Sequence, residues 1–183
     1  MSVMNLKYRT IGMIVGPGFD DSQVVSVAQE FRSRGARVVV IGAAETEAIA
    51  VAGKKGTLLR PDTVISKIIS SGIDALIIPG GDSIMRLKSD ERVLTLVLEI
   101  NSDSKPIGAL GNGPEIVAAA GLLNKRRVTG DPVIKDSVEA ASALFLSQGM
   151  VVDHNLVTAN SDSDLRHFAD TISFLLEPAT TLS

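Results

Sequence analysis

The chain has 183 residues, 45% of them apolar and 21% charged, which fits one folded domain with a substantial core and argues against disorder. Lys+Arg 18 against Asp+Glu 21 give a net charge of −3 with no basic run, and aromatics are only 3% with no Trp, so neither phosphate-backbone binding nor base stacking is supported. A cysteine count of zero removes disulfides, thiolate zinc sites and thiol nucleophiles together, and two histidines are too few for a histidine-rich metal site.

In chain order, Ile11 to Val15 predicts a buried strand, and Gly16-Pro17-Gly18-Phe19 a turn. Asp20 opens a helix, with Gln23 three residues on as its capping-box partner and Val24, Val27, Ala28 and Phe31 as an apolar stripe; Gly35 closes it. Arg37 to Gly42 reads as a strand covered on both faces. Val51 to Leu58 predicts a small hairpin, and Thr63 to Ser70 a helix. Ala75 to Ile78 is a third core strand, ended by Pro79-Gly80-Gly81. Asp90 caps a helix to about Asn101, and Pro106 to Leu110 is the fourth core strand. Gly111-Asn112-Gly113-Pro114 then leads into a helix to Ala120, with Pro114 suited to its first turn. Short β segments follow at Arg127–Thr129, Val133–Ile134, Gly149–Asp153 and Leu156–Thr158, the last two joined through a turn at Asp153-His154-Asn155. Leu165 to Leu176 is a closing helix with Leu165, Phe168, Ile172 and Leu175 on one face.

Strands alternating with helices predict an α/β fold, a flavodoxin-like three-layer α/β/α sandwich with a mainly parallel sheet, as a single domain over 1–183 with its core about 10–177. Ligands of such sheets sit beyond the carboxyl ends of the strands, so the loops Gly16–Asp21, Gly80–Ser83 and Gly111–Pro114 are expected to meet. The apolar run at Ile11–Val15 is far shorter than the roughly 18–20 residues of a membrane helix, and no targeting segment is visible; a cytoplasmic protein without membrane contact is expected by default.

Gly16-Pro17-Gly18-Phe19-Asp20-Asp21 matches a dinucleotide fingerprint poorly. Asp21 stands where the third glycine belongs, two carboxylates would repel a pyrophosphate, and Glu45 as a ribose-binding acid does not rescue the count. No cofactor is expected. Asp20, Asp21 and Asp82 could approach one another around a hard cation, but helix capping is the simpler role and no metal is expected. His154 reads as a turn residue and His167 as a surface helix residue. No Gly-x-Ser-x-Gly elbow exists to pair with either. The segment from Pro106 to Val117 has the layout of a nucleophile elbow: a buried strand, a glycine-bracketed turn, and a helix whose N-terminus would depress the pKa of a thiol placed there.

Several stretches in order and spacing, GFDDSQ at Gly18, GKKG at Gly53, DALIIPGGD at Asp74, PIGALGNGP at Pro106, AAGLLNKRRVTGDP at Ala119 and VVDHNLVTA at Val151, resemble the ThiJ/PfpI superfamily across about Thr10 to Leu176. The family's elbow reads roughly A-x-C-H-G-P. The resemblance puts the cysteine nucleophile at Gly111, the following histidine at Asn112 and the first-loop acid at Asp20, and keeps the Pro79-Gly80-Gly81 turn as backbone donors. It implies a degenerate elbow with no catalytic residue, and a ligand-binding set of Asp20, Gly80, Gly81, Asp82, Gly111, Asn112 and Gly113. A non-catalytic small-ligand-binding or chaperone-like accessory protein follows, as a homo-oligomer, with a small anionic metabolite as candidate ligand. The alternative is a protease- or deglycase-like hydrolase using a non-thiol mechanism, with water activated by Asp20. KPIGALGNG at Lys105 is also similar to the C-terminal domain of large-subunit catalases, which carries no haem and is implicated in folding or assembly.

Overall fold

A computed structural model describes residues 4–43 and 49–177; the ribose-acid candidate Glu45 lies outside them. The chain runs β1 (Thr10–Val15), α1 (Asp21–Ser33), β2 (Arg37–Gly42), β3 (Val51–Ala52), β4 (Leu58–Leu59), β5 (Thr63–Val64), β6 (Ala75–Ile78), α2 (Ile84–Leu87), α3 (Glu91–Ser102), β7 (Ile107–Leu110), α4 (Pro114–Ala119), β8 (Arg127–Val128), α5 (Lys135–Ala140), β9 (Leu144–Phe145), β10 (Met150–Asp153), β11 (Leu156–Ala159) and α6 (Leu165–Leu176). Branched residues at β1, β2, β6 and β7 are buried nearly throughout, as strands covered on both faces must be. They form a seven-stranded sheet in the order β10-β11-β7-β6-β1-β2-β5, parallel except for β10 against β11. This is the flavodoxin-like α/β arrangement expected.

Two apolar layers cover the sheet. Val24, Val27 and Phe31 of α1 and Phe168 and Ile172 of α6 pack on one face; Val93, Val97 and Ile100 of α3 and Ile116 and Val117 of α4 pack on the other. Asp20 and Asp90 cap α1 and α3 as expected, and Asp164, for which no capping role was expected, does the same for α6; each accepts backbone N–H groups at its helix start. The chain leaves β1 towards β2 on one side and returns to place β6 on the other. The strand order therefore reverses between β1 and β6, and a crevice opens at their carboxyl ends.

Two local expectations are corrected and a third holds. Thr63 to Ser70 is not a helix: Thr63 and Val64 pair with Ile41 and Gly42 as an edge strand, and only single 3-10 turns follow at Ile65–Lys67 and Ser70–Gly72. Val133–Ile134 is not β but part of a 3-10 turn begun by Pro132, leading into α5, which the sequence pattern did not reveal. Val51 to Leu59 does form the expected hairpin, β3 against β4. Among the described residues, no helix is long and apolar enough to cross a membrane.

Candidate functional site

The three loops do converge. Asp20 N donates to Gly80 O (2.9 Å), Asp82 N to Gly18 O (2.8 Å) and Gly81 N to Asn112 Oδ1 (2.9 Å), while Asn112 Nδ2 returns a bond to Gly81 O (3.0 Å). Gly81 has φ +122°, and a Cβ there would lie 2.4 Å from Gly18 O, so only glycine lets the first and second loops touch. Gly113 N closes the elbow turn on Leu110 O (2.8 Å), immediately before Pro114 begins α4.

Gly111 stands at the tip of β7 with φ +61°. A Cβ built on it would point into a polar cluster, 2.9 Å from Ser161 Oγ, 3.2 Å from Asp131 Oδ2 and 3.3 Å from Gln23 Nε2. These groups bind one another. Ser161 Oγ donates to Asp131 Oδ2 (2.7 Å), Ser161 N to Asp131 Oδ1 (2.8 Å), and Gln23 Nε2 to Ser161 Oγ (3.3 Å). Gln23, only 1% exposed, also accepts from Gly80 N (2.7 Å). Asp131 N in turn donates to Gly111 O (2.9 Å), and Gly111 N to Ala159 O (2.9 Å).

This arrangement revises the sequence reading in two respects. The side chain of the first helix that faces Gly111 is Gln23 rather than Asp20. Asp20 Oδ1 is engaged by Gln23 N (3.0 Å) and Ser22 Oγ (3.1 Å), so half of the capping box forms while the Gln23 side chain is spent on the elbow. Second, the backbone donors at Gly80 and Gly81 are satisfied internally by Gln23 and Asn112, and the Asp131 carboxylate lies against the elbow. An anion placed at Gly111 would meet a like charge and find those two amides occupied.

The three acidic residues do not face a common centre. Asp82 is exposed and paired with Lys54 Nζ (3.6 Å). The buried Asp21 carboxyl receives the Lys55 N–H (2.7 Å) and the Thr57 N–H (2.9 Å), clasping the β3–β4 hairpin to α1. The Thr57 side chain, together with those amides, lowers the Asp21 pKa from 3.8 to about 2 against the opposing effect of burial. No group of three metal-ligating side chains occurs among the described residues. His154 occupies the β10–β11 turn at φ +55°, and His167 lies exposed on α6.

Ser161 lies in a polar loop with no motif, and Asp131, although inside the AAGLLNKRRVTGDP stretch, carries no signal there that it faces Gly111. The available signal is Gln23, whose side chain the capping-box spacing reads as a local cap but which the fold turns towards Gly111.

The chain is 35% identical over 164 residues to protein/nucleic acid deglycase 2 of Escherichia coli, covering 87% of this chain and 93% of that one. It is 32% identical over 171 residues to general stress protein 18 of Bacillus subtilis, covering 92% and 98%. Among solved structures, a two-domain protein of Anabaena variabilis with DJ-1/ThiJ/PfpI-like and ferritin-like domains matches with TM-score 0.86 and 25% identity over 90% of this chain. The chain spans about half of that protein, 47% of its length. The pattern of the DJ-1/PfpI family itself matches residues 9–174, from the start of β1 to the last helix, and with the parallel sheet and the strand-to-helix elbow this establishes that the chain belongs to the DJ-1/PfpI family.

Proposed function

We propose that this protein is a non-catalytic member of its family, a binding or accessory protein whose elbow has become a structural plug. The observation that carries this reading is Gly111. The residue at the strand-to-helix tip has no side chain, no cysteine exists anywhere in the chain to replace one, and the space a side chain would take is crowded by Ser161, Asp131 and Gln23. Glycine cannot attack, be activated or be oxidised. Left-handed backbone geometry, tolerated by other residues only at a cost, is adopted freely by glycine, so the corner keeps its shape at little expense once chemistry is not required. The protein works as a homo-oligomer in the cytoplasm, and its ligand is a small carboxylate-bearing metabolite held away from the Asp131 carboxylate.

The alternative, a hydrolase without a thiol, draws support from one contact, the 2.7 Å bond between Ser161 Oγ and Asp131 Oδ2 beside the elbow. A serine next to a carboxylate lacks the neutral base of a triad. Peptidase, esterase and methylglyoxal assays on the wild type, Asp131→Asn, Ser161→Ala and Asp20→Ala test both. The expected result is no turnover above background for any of them. Turnover in the wild type that disappears in Ser161→Ala or Asp131→Asn would establish the hydrolase and end the non-catalytic reading. Light scattering checks the assembly, with a mass above that of one chain expected.

A further inference from the structure

A second concavity lies where the strand order reverses. It is a cleft of about 900 Å³ at the carboxyl ends of β1 and β2, and its lining includes Gly16, Pro17, Ser83, Arg86, Leu87 and Glu91. It shares no residue with the cluster around Gly111. Its position follows from topology, since the chain leaves the paired strands β1 and β6 towards opposite sides of the sheet and Gly16 and Ser83 lie beyond their carboxyl ends.

Two kinds of unused polar group line it. Ser83 is only 2% exposed, yet its side chain does not cap α2, and its hydroxyl has no hydrogen-bond partner among the described residues. The hydroxyl is not sealed from solvent, since the buried side-chain atoms without a partner among the described residues are Arg34 Nη1 and Arg126 Nε, so it is free to donate to a group bound in the cleft. The charged groups divide unevenly. Asp90 caps α3 through Arg92 N (2.9 Å) and also pairs with the Arg92 guanidinium (3.3 Å), so those two charges satisfy each other. Arg86 and Glu91 have no such partner: the side chain of neither takes part in an ion pair or hydrogen bond within the described residues, although both face the same cleft. Pro17 and Leu87 supply apolar wall between them.

From this pattern we infer that the cleft is a binding site for a small zwitterion, a free α-amino acid or a close analogue, with its carboxylate on Arg86 and Ser83 and its ammonium on Glu91. A guanidinium presents a planar fork that matches a carboxylate, and a serine hydroxyl can donate a further bond to it. The inference deepens the non-catalytic reading above and rests on it, since it gives the proposed carboxylate-bearing ligand a seat away from the elbow.

The test is a thermal-shift screen of the standard free L-amino acids on the full chain, followed by calorimetry of the one that stabilises most. Its N-acetyl and methyl-ester forms serve as probes that each lack one charge. The expected result is saturable binding, weakened about tenfold or more in either blocked form and in Arg86→Ala or Glu91→Ala, as loss of a charge-assisted contact implies. Ser83→Ala should weaken it less, by roughly threefold to tenfold. Arg86 is exposed, so Arg86→Ala should melt with the unliganded wild type, whereas Glu91→Ala should melt slightly below it because Glu91 is the first-turn acid of α3. No stabilisation by any amino acid, or binding that survives both Arg86→Ala and Glu91→Ala, would overturn the inference and leave the non-catalytic reading standing. Ser161-dependent turnover would remove that reading without touching binding at this cleft.

Discussion

Replacing Gly111 with alanine adds one methyl group and tests the elbow directly. Two terms oppose the variant. At φ +61° an L side chain costs about 1–2 kcal/mol relative to glycine. The new Cβ would also lie 2.9 Å from Ser161 Oγ and 3.2 Å from Asp131 Oδ2, both closer than ordinary contact. Ser161 must therefore shift and weaken its bonds to Asp131 and Gln23, each contributing about 0.5–1.5 kcal/mol. The sum is about 3 kcal/mol, or roughly 6–12 °C in Tm for a domain of this size. Gly121→Ala is the matched control, because Gly121 has φ +76° and nothing within 4 Å of its Cβ position, so only the backbone term remains, about 1–2 kcal/mol. Gly111→Ala with Ser161→Ala should recover part of the difference, since the truncated residue no longer blocks the methyl. Urea titrations followed by circular dichroism read all four proteins. Equal losses for Gly111→Ala and Gly121→Ala would show that the elbow is not packed as described and would refute the reasoning.

Gly111→Cys creates the chain's only thiol. The sequence alone predicts a depressed pKa from the following helix, but α4 is one short helix and the Asp131 carboxylate stands 3.2 Å from the Cβ position; the thiol should titrate above the ordinary ~8.5 and fall back on Asp131→Asn, as read by thiolate absorbance. Acid should loosen the β3–β4 hairpin. Asp21 titrates lower when folded than its ordinary 3.8, so the stability it contributes is complete above that value and is lost as pH falls through about 2. Protection of the Lys55 and Thr57 amides, as the exchange rate relative to that of the unprotected amide at the same pH, should fall across that window in the wild type and stay flat in Asp21→Asn. Phe168 is fully buried, with its ring tip 2.5 Å from where a Cβ on Gly108 would be, so Phe168→Ala should cost about 3–5 kcal/mol by chemical denaturation; Gly108→Ala should also destabilise, and a neutral result there would contradict the close approach of α6 to β7.

Much of the architecture could be read locally. β1, β2, β6 and β7 are short branched runs bracketed by glycine or proline, and α1, α3 and α6 begin at aspartates whose side chains cap them. α6 begins and ends at the predicted residues because its period and its apolar face agree, and the structure adds the Asp164 cap. Thr63–Val64 could not be read that way, since its conformation comes from pairing with Ile41 and Gly42 at the sheet edge, a long-range contact that overrides local preference. Asp131 and Ser161 were likewise silent. Each is a polar loop residue whose meaning appears only when Gln23, 138 positions before Ser161, is brought to the same corner. Residue types along the chain thus determined the layers, the caps and the lack of a thiol. Only folding decided which polar side chains fill the space beside Gly111 and which, at Ser83, Arg86 and Glu91, line the cleft beyond β1 without a side-chain partner among the described residues, because hydrogen bonds and charges act through distance in space rather than along the chain.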